Sequence, residues 1–448
     1  MSSGPLAPPL FLAHLRADAP PIRQPKGRPL VCTDELVHRA AFEADPELYA
    51  LSAIATRVTR EQRGRALFVL LAASWAGLSP VARATASRVV RVLLAALPAE
   101  DVLTVMLGLR RARANHKHTA RAIVRWITEH PNAADLVRAR RGSVRDVLEH
   151  ALGRNVARGA AVAIAAARPA RIPHAHDQEQ ARALLALVYA RGDGALAPLP
   201  KQGSDQLLRA LAGEREDVER TVTATNRGDV SATLVNIYRG GETPELHAGL
   251  ARFVEAAAAR LPRFEGRLAV VLDASASMRG YGEREHCAIA QALALTLVLE
   301  RVCPGMQLFV AGGGGAFPPR PEGPTDLASA VLDAAEWRPD VIAVVTDGYE
   351  NREHGDLAAV ARALPRAGVA APVVVCQTQF TRKDDLALRR PAPALPEVGF
   401  WHESDFAEVL FTLASHAPAP AASAFVRRAL DARLSDLEKE LSPWISAP

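Results

Sequence analysis

The chain has 448 residues, which is too long for a single hydrophobic core and predicts two or three domains. Its hydrophobic fraction of 49% is that of a globular protein, and it comes mostly from Ala, Leu and Val with few aromatic residues, which favours helix. The net charge of +5 is modest for this length, so the total charge alone does not indicate a nucleic-acid or membrane partner.

Cysteine spacing and the lack of long apolar segments predict a soluble protein of a reducing compartment. Cys32, Cys287, Cys303 and Cys376 are far apart and form no CxxC or zinc-type spacing. The N-terminus does not have the basic segment and continuous apolar stretch of a signal peptide, and no window approaches the roughly 18 apolar residues of a membrane span. We therefore expect free thiols, a cytoplasmic location and no membrane partner.

The first half of the chain predicts an arm followed by helices. Residues 1–29 contain seven prolines and are predicted to form an extended arm. Residues 30–262 carry successive segments of helical periodicity joined by short links, which predicts an all-helical, HEAT-like domain, although no clean internal repeat is present. The predicted helices are 33–44, 46–58, 62–76, 80–97, 99–112, 118–130, 143–152, 178–190, 204–211 and 244–259.

The pattern changes near Phe264 to short apolar runs that alternate with helical segments. The predicted strands are 267–273, 307–311, 341–346 and 372–377. Strands that alternate with helices form a parallel sheet covered on both faces, so residues 263–420 are predicted to be an α/β doubly wound domain. Residues 421–448 are predicted to form a C-terminal helix that packs back on the body.

Oxygen-bearing side chains follow the predicted strands, at the end where parallel sheets bind ligands. Asp273, Ser275 and Ser277 follow the first strand in the sequence DASAS, Thr325 opens a helix in GPTD, and Asp347 ends a strand in TDG. Three hydroxyls and two carboxylates, completed by water, suit a hard octahedral cation such as Mg²⁺ or Mn²⁺. Each motif alone is also typical of an ordinary turn, so the prediction of a metal site depends on their joint occurrence.

The three motifs resemble the metal-ion-dependent adhesion site of the von Willebrand factor A domain, which has DxSxS, then a distant Thr and a distant Asp. The resemblance implies that Ser275, Ser277 and Thr325 coordinate the metal directly, while Asp273 and Asp347 act partly through waters. It also implies that one coordination position accepts an acidic group of a partner protein.

The segment between the first helix of this domain and Thr325 departs from the family pattern. It has only about 20 residues after Cys303, where the family usually has a strand pair. We therefore expect a shortened sheet edge, with residues 312–315 as a flexible loop. These four glycines are not a phosphate loop, because no Gly-Lys-Ser/Thr follows.

Basic residues concentrate between positions 101 and 171, where fourteen arginines and lysines accompany five acidic residues. A helical half joined to a metal-site half resembles the Ro ribonucleoprotein family, whose helical ring is the TROVE domain and is closed by an A-type domain. Residues 121–126 (RAIVRW) and 140–150 (RRGSVRDVLEH) resemble that family's helix and its following loop-helix. Residues 273–278 and 373–376 resemble its A-domain strands.

The Ro resemblance implies binding of small noncoding RNAs on the outer ring surface and of single-stranded ends of misfolded RNAs through the hole. Basic side chains on one face would neutralise phosphates and give a salt-sensitive affinity that is largely independent of sequence. The first candidates are Arg138, Arg140, Arg141 and Arg145, followed by Arg110, Arg111, Arg113, His116, Lys117 and His118. The alternative, that these side chains are merely the solvated faces of helices, remains open at this point.

Two other functions are compatible with the sequence. A helical domain joined to an A-type domain also resembles the partners of MoxR-type AAA+ ATPases, in which the metal would bind a carboxylate and no arginine cluster would be needed. A metal-dependent hydrolase is the weakest alternative, because no general base, Lys or His lies beside the metal motifs. The sequence therefore predicts a non-enzymatic, Ro-like protein that binds small noncoding or misfolded RNA and, through its metal, a protein partner.

Overall fold

The computed structural model describes residues 8–23, 30–190, 205–213, 229–241, 243–315, 317–350, 353–379 and 389–441. Within these ranges the chain forms eighteen α-helices and five strands. It divides into two compact units, one comprising Met1–Glu216 and Leu430–Pro448, the other Asp217–Ala429. The first unit is helical and the second contains a five-stranded parallel sheet, so the prediction of a helical domain followed by an α/β domain is confirmed at this level. Among the described helices, none is long and apolar enough to cross a membrane.

The helical unit contains the first eleven described helices. Several begin where a hydroxyl caps the first turn: Thr59 accepts a hydrogen bond from the backbone N–H of Gln62, and Ser79 accepts one from that of Ala82. The helices are α1 Pro8–Arg16, α2 Glu35–Ala44, α3 Pro46–Ser52, α4 Arg60–Ala72, α5 Pro80–Ala96, α6 Ala99–Arg111, α7 Lys117–Glu129, α8 Ala133–Leu152, α9 Arg154–Ala165, α10 Gln178–Tyr189 and α11 Asp205–Ala212.

Helix α4 is the centre of this unit, because residues 62–71 are all buried. Two of these residues are arginines, which need polar partners inside a core. The Arg63 guanidinium donates to the Ala55 and Leu211 carbonyls at 3.1 and 2.6 Å. The Arg65 guanidinium binds the Asp34 carboxylate, and Arg65 is fully buried. A buried charge network therefore lies inside the helical core.

The second unit contains the sheet. Its helices and strands are α12 Val230–Tyr238, α13 Pro244–Ala258, β1 Arg267–Ala274, α14 Cys287–Val302, β2 Gly305–Gly312, α15 Leu327–Glu336, β3 Val341–Thr346, α16 Asp356–Ala363, β4 Val373–Thr378, β5 Glu397–Phe400 and α17 Phe406–His416. The last helix, α18 Ala419–Leu441, begins in this unit, and its residues from Leu430 belong to the helical unit.

All neighbouring strands pair in parallel, in the order β2-β1-β3-β4-β5. Every residue of β3 and β4 is buried, and β1 is buried apart from Arg267, which explains the continuous apolar runs in the sequence. Helices α15 and α16 pack on one face of the sheet, against Ala269, Val271 and Ile342 among others. Among the described residues no strand follows β2 at the sheet edge, and an isolated antiparallel bridge joins Gly314 and Arg320 instead.

The predicted extended arm is wrong for residues 8–16, which form α1. The prolines at positions 8 and 9 lie in the first turn, where a missing N–H costs nothing, so they do not prevent a helix. Phe11, Leu12 and Leu15 are buried on the helical unit. Apolar residues between the prolines thus decide the structure of this segment.

The boundary between the units also differs from the predicted one at residue 262. Helices α12 and α13 belong to the unit that contains the sheet, because both pack against α14. The sequence analysis did not predict α9, α12 or the four-residue strand β5. Helix α8 consists of two helical segments on either side of a kink at Arg140, where φ is −137° and ψ is 38°, and the predicted helix 143–152 lies in the second segment.

The buried pair of Asp34 and Arg65 gives a first prediction. Arg65→Met leaves the partly buried Asp34 carboxylate without its cation, so we expect the opening free energy of α4 amides to fall by about 3 kcal/mol, the lower end for a buried pair. Hydrogen–deuterium exchange followed on individual peptides measures this opening free energy, and it does so for the helical unit separately from the α/β unit. Arg39→Met is the matched control, because its partner Glu35 lies on an exposed helix face. An equal effect of the two variants would contradict the prediction.

Candidate metal site and basic surface

The ends of β1 and β3 form the part of the sheet where a ligand site is expected. The chain leaves β1 to form β2 on one side and later returns to form β3 on the other side, so the strand order reverses between β1 and β3. Open α/β sheets bind ligands in the crevice at such a point, outside the carboxyl ends of the strands. Asp273 is the last residue but one of β1, and Asp347 follows directly after β3.

The structure brings all five predicted metal-site residues together. The Thr325 hydroxyl donates to Ser275 Oγ at 2.8 Å, and Ser275 Oγ lies 3.1 Å from Ser277 Oγ. Ser277 Oγ donates to Asp347 Oδ1 at 3.4 Å, and the backbone N–H of Ser275 donates to Asp273 Oδ1 at 3.0 Å. We call these five residues the oxygen cluster. They come from three separate segments of the chain, as the sequence motifs predicted.

Three residues that the sequence analysis missed hold the oxygen cluster in position. The Thr346 hydroxyl donates to Asp273 Oδ2 at 2.6 Å. The side chains of Gln377 and Arg389 both donate to the backbone carbonyl of Asp347, at 3.2 and 3.0 Å. The only sequence signal for these contacts is that Thr346 and Gln377 lie at the carboxyl ends of β3 and β4.

The glycine of the TDG motif is required by a close approach of β4 and the segment after it. Gly348 has a φ of +88°, and a Cβ there would lie 2.0 Å from Gln377 Nε2 and 2.3 Å from the Arg389 carbonyl oxygen. A larger residue would therefore displace the contacts that fix Asp347.

The glycines after β2 are likewise packed against the oxygen cluster. A Cβ on Gly312 would lie 3.0 Å from Ser275 Cα. The backbone N–H of Gly313 donates to the Glu322 carbonyl at 2.8 Å. The expectation of a merely flexible loop is thus wrong for this part of residues 312–315, because the backbone is hydrogen-bonded and lies against the DASAS turn.

The two carboxylates of the oxygen cluster are held in a low-dielectric environment. Asp273 is 0% exposed and Asp347 is 2% exposed. Burial raises the pKa of Asp273. Burial, followed by the negative charge of Asp273, raises the pKa of Asp347 from 3.8 to about 6. Two buried carboxylates that repel each other favour a bound cation, because it would neutralise both.

The predicted RNA-binding arginines of α8 mostly have partners within the protein. Arg138 pairs with Asp135 at 2.8 Å, and Arg140 lies 4.0 Å from a Glu100 oxygen. The Arg141 guanidinium donates to the Ala190 carbonyl at 3.3 Å, while Arg145 is exposed. These contacts favour the alternative that the α8 arginines belong to an ordinary solvated face.

The second set of predicted RNA-binding residues divides into exposed arginines and packed histidines. Arg110 pairs with Asp146 at 3.2 Å, and Arg111 and Arg113 are exposed at the end of α6. His118 stacks on Trp75 with ring centroids 3.9 Å apart, and burial lowers the pKa of His118 to about 4. A histidine that is neutral at neutral pH adds no charge toward a phosphate.

His116 is held by local contacts at the start of α7. Its ring lies parallel to that of His118 at 5.5 Å, and its Nε2 atom is 3.2 Å from the Ala72 carbonyl. The two histidines thus pack the start of α7 against α4. Of the second set, Lys117 is exposed and shares one face of α7 with two further basic residues.

Lys117, Arg121 and Arg125 form an exposed basic row along one face of α7, because they are spaced four residues apart. His174 lies near all three, since their positive charges, after burial, lower its pKa. Arg125 lies 3.9 Å from Glu129, whereas Lys117 and Arg121 pair with no carboxylate among the residues that the structure describes. We call these three residues the α7 row. The sequence analysis named only Lys117, although the helical spacing in KHTARAIVR was a usable signal.

Comparison with known proteins gives no family for the chain. No protein-family model matches the sequence, and no curated protein matches it. The function therefore has to be argued from the oxygen cluster and the α7 row.

The raised pKa of Asp347 predicts a pH dependence of the metal-free protein. The pKa of Asp347 is higher in the folded protein than in the unfolded chain, so the folded state holds the proton more tightly. This contribution to stability is fully present below about pH 4 and is lost as pH rises through about 6. Asp347→Asn removes this loss of stability, because an amide does not ionise. We therefore expect the variant to gain on the order of 3 kcal/mol relative to wild type between about pH 4 and pH 8.

Urea denaturation in the presence of a chelator, with hydrogen exchange of β1 and β3 as the local probe, measures this difference. Asp333→Asn on the exposed face of α15 is the matched control. A pH-independent difference between Asp347→Asn and wild type would contradict the prediction.

Proposed function

We propose that the oxygen cluster is a metal-ion-dependent adhesion site and that the α/β unit is a von Willebrand factor A-type domain. In this proposal the site holds Mg²⁺ or Mn²⁺ and binds a carboxylate of a partner protein. The observation that carries it is the convergence of three hydroxyls and two carboxylates at the point where the strand order reverses.

The distances within the oxygen cluster fit a small octahedral ion. Metal–oxygen bonds of 2.0–2.1 Å put adjacent ligands about 2.9 Å apart. The hydroxyl oxygens of Thr325, Ser275 and Ser277 follow one another at 2.8 and 3.1 Å. Oxygen donors with two negative charges match the chemistry of Mg²⁺ and Mn²⁺.

The residues of this chain have separate tasks in the proposed site. Ser275, Ser277 and Thr325 would bind the ion directly, while Asp273 and Asp347 would act partly through waters and supply the negative charge. Thr346 orients Asp273 through a hydrogen bond of 2.6 Å. The bound ion would supply a positive charge for the incoming carboxylate. We propose binding over catalysis, because both carboxylates, Asp273 and Asp347, are assigned to the metal and the supporting side chains of Thr346 and Gln377 are not general bases.

The metal assignment predicts ligand-dependent stability. Mg²⁺ at about one hundred times its Kd stabilises the folded unit by about 2.7 kcal/mol, since the unfolded chain has no such site. Asp273→Ala should abolish this stabilisation. Thermal unfolding with and without Mg²⁺ measures it, and Ser329→Ala, an exposed hydroxyl on α15, serves as the control. Full Mg²⁺ stabilisation of Asp273→Ala would remove the basis of the proposed site.

We further propose that the helical unit binds single-stranded RNA through the α7 row, which is a Ro-like activity. Successive members of the row rise by about 6 Å along the helix. At this spacing each cation can face a different phosphate of an extended strand. An adaptor of a MoxR-type ATPase would use the oxygen cluster but would have no need of the row, so the row is the observation that favours RNA.

Charge reversal tests the RNA proposal. Lys117→Glu with Arg121→Glu should lower the affinity for a labelled single-stranded RNA by about tenfold or more and reduce the salt slope by about 1.4. Fluorescence anisotropy over a KCl series gives both quantities. Arg138→Glu with Arg140→Glu is the matched control, because these arginines already have carboxylate neighbours.

Equal losses in the two double variants would mean that the basic surface acts only through total charge. No RNA binding by the wild-type chain would favour the adaptor function.

A further inference from the structure

A second group of metal-ligating side chains lies within the helical unit. It consists of His14 of α1, Asp34 at the start of α2 and His38 of α2, and we call it the histidine cluster. Their ligand atoms all lie within 4.8 Å of one another. Neither the adhesion site nor the RNA-binding row uses these residues.

We propose that the histidine cluster binds one transition-metal ion of the Zn²⁺ type through His14 Nε2, Asp34 Oδ2 and His38 Nε2. Bonds of 2.0–2.1 Å put adjacent ligands of a tetrahedral ion about 3.3 Å apart. Asp34 Oδ2 lies 3.1 Å from His14 Nε2 and 3.7 Å from His38 Nε2. Small side-chain movements therefore bring all three atoms into coordination distance.

Contacts outside the cluster orient its ligands, as is typical of metal sites. His38 is 0% exposed, and its Nδ1 atom lies 2.9 Å from the Tyr49 hydroxyl, which fixes the ring with Nε2 toward Asp34. The Arg65 guanidinium binds Asp34 Oδ1 and leaves Oδ2 to face both histidines. His14 is 26% exposed, so an ion can reach the cluster from solvent.

When no metal is bound, the Gln62 side chain hydrogen-bonds two members of the histidine cluster. Its Oε1 atom lies 2.7 Å from His38 Nε2, and its Nε2 atom donates to Asp34 Oδ2 at 3.0 Å. An incoming ion displaces the contact between His38 and Gln62, because His38 Nε2 then coordinates the metal. The Gln62 amide oxygen, which lies on the same side, can take the fourth position.

The ligand set distinguishes this cluster from the oxygen cluster. Two imidazoles and one carboxylate suit Zn²⁺, Co²⁺ or Ni²⁺ and not Mg²⁺. The positive charge of Arg65 opposes the ion, so we expect weaker binding than in a site with thiolate ligands. Cys32 lies close by, with Sγ 3.9 Å from Asp34 Oδ1, and burial raises the pKa of that thiol to about 11.

Binding would fasten α1 to the rest of the helical unit. The Phe11 ring of α1 already packs against His38 and Tyr49, with centroids 5.9 and 5.7 Å away. A metal shared by His14 and His38 would add a second link between α1 and α2. The hydrogen exchange of α1 is thus a readout of occupancy that is independent of RNA binding and of the adhesion site.

The experiment uses the full chain, stripped with a chelator, kept in excess Mg²⁺ and then titrated with Zn²⁺. We expect one equivalent retained at equilibrium, measured by dialysis against Zn²⁺ and elemental analysis, and a slowing of α1 amide exchange by about tenfold or more at saturating Zn²⁺. His14→Ala should lose both effects. His14→Gln keeps a side chain that can hydrogen-bond Asp34 but removes the imidazole, so it separates metal loss from loss of α1 docking.

His176→Ala is the matched control, because His176 is an exposed histidine of the same unit, in the sequence HAH with His174. Retention of Zn²⁺ by both His14 variants, or no retention by wild type, would overturn the proposal. Loss of Zn²⁺ in His176→Ala with retention in His14→Gln would overturn it as well, by assigning the metal to the HAH loop.

Discussion

The main electrostatic constraint on the α/β unit is the burial of two carboxylates side by side where β1 and β3 end. A buried carboxylate without a partner is costly, and two that repel each other are more so. The unit offsets part of this cost with hydrogen bonds to Asp273 from the Thr346 hydroxyl and the Ser275 backbone. Asp347 receives a bond from the Tyr349 backbone and is near the positive charge of Arg389. The remaining unfavourable charge explains why a cation is the proposed ligand.

The surrounding fold positions these two groups through its strand order. Parallel pairing of β1 with β3 puts the ends of both strands at one edge, and a close approach at Gly348 brings Gln377 and Arg389 against the chain there. The glycines after β2 allow the next segment to pack on the DASAS turn. Residues outside the oxygen cluster therefore determine where its oxygen atoms lie.

The alternating pattern was sufficient to predict most of the sheet and the members of the oxygen cluster. Buried parallel strands are nearly all apolar, so the first polar residues after them stand out, as Asp273 and Asp347 do. Thr346 and Arg389 could not be predicted as supporting residues, because their contacts depend on register and on the course of the chain after β4. Helix α1 was missed because proline composition was weighed above the apolar residues Phe11 and Leu15.

The basic segment was predicted less well, because composition does not reveal which charges are already paired. Arg138 and Arg110 look equivalent to Arg121 in the sequence. In the structure, however, Arg138 pairs with Asp135 of its own helix, and Arg110 pairs with Asp146 of a neighbouring helix. Helical spacing is the better signal, since it places Lys117 and Arg121 on one exposed face of α7, where neither pairs with a carboxylate among the described residues, whereas Arg125 lies 3.9 Å from Glu129. An exposed cation that has no internal partner keeps its full charge for a phosphate, whereas breaking an internal pair would reduce the gain on binding.

The two proposed ion sites differ in the kind of ion that each can retain. The oxygen cluster has only hard oxygen ligands and two negative charges. Such a ligand set suits Mg²⁺ and Mn²⁺ about equally and has a low affinity for ions that prefer nitrogen ligands. The histidine cluster has a single carboxylate, already shared with Arg65, so its selectivity comes from the imidazoles of His14 and His38. Because Mg²⁺ dehydrates reluctantly and prefers oxygen, it would fill the first proposed site without competing at the second. On these two proposals one chain would respond to two different metals, the first ion acting on a partner's carboxylate and the second on the attachment of α1.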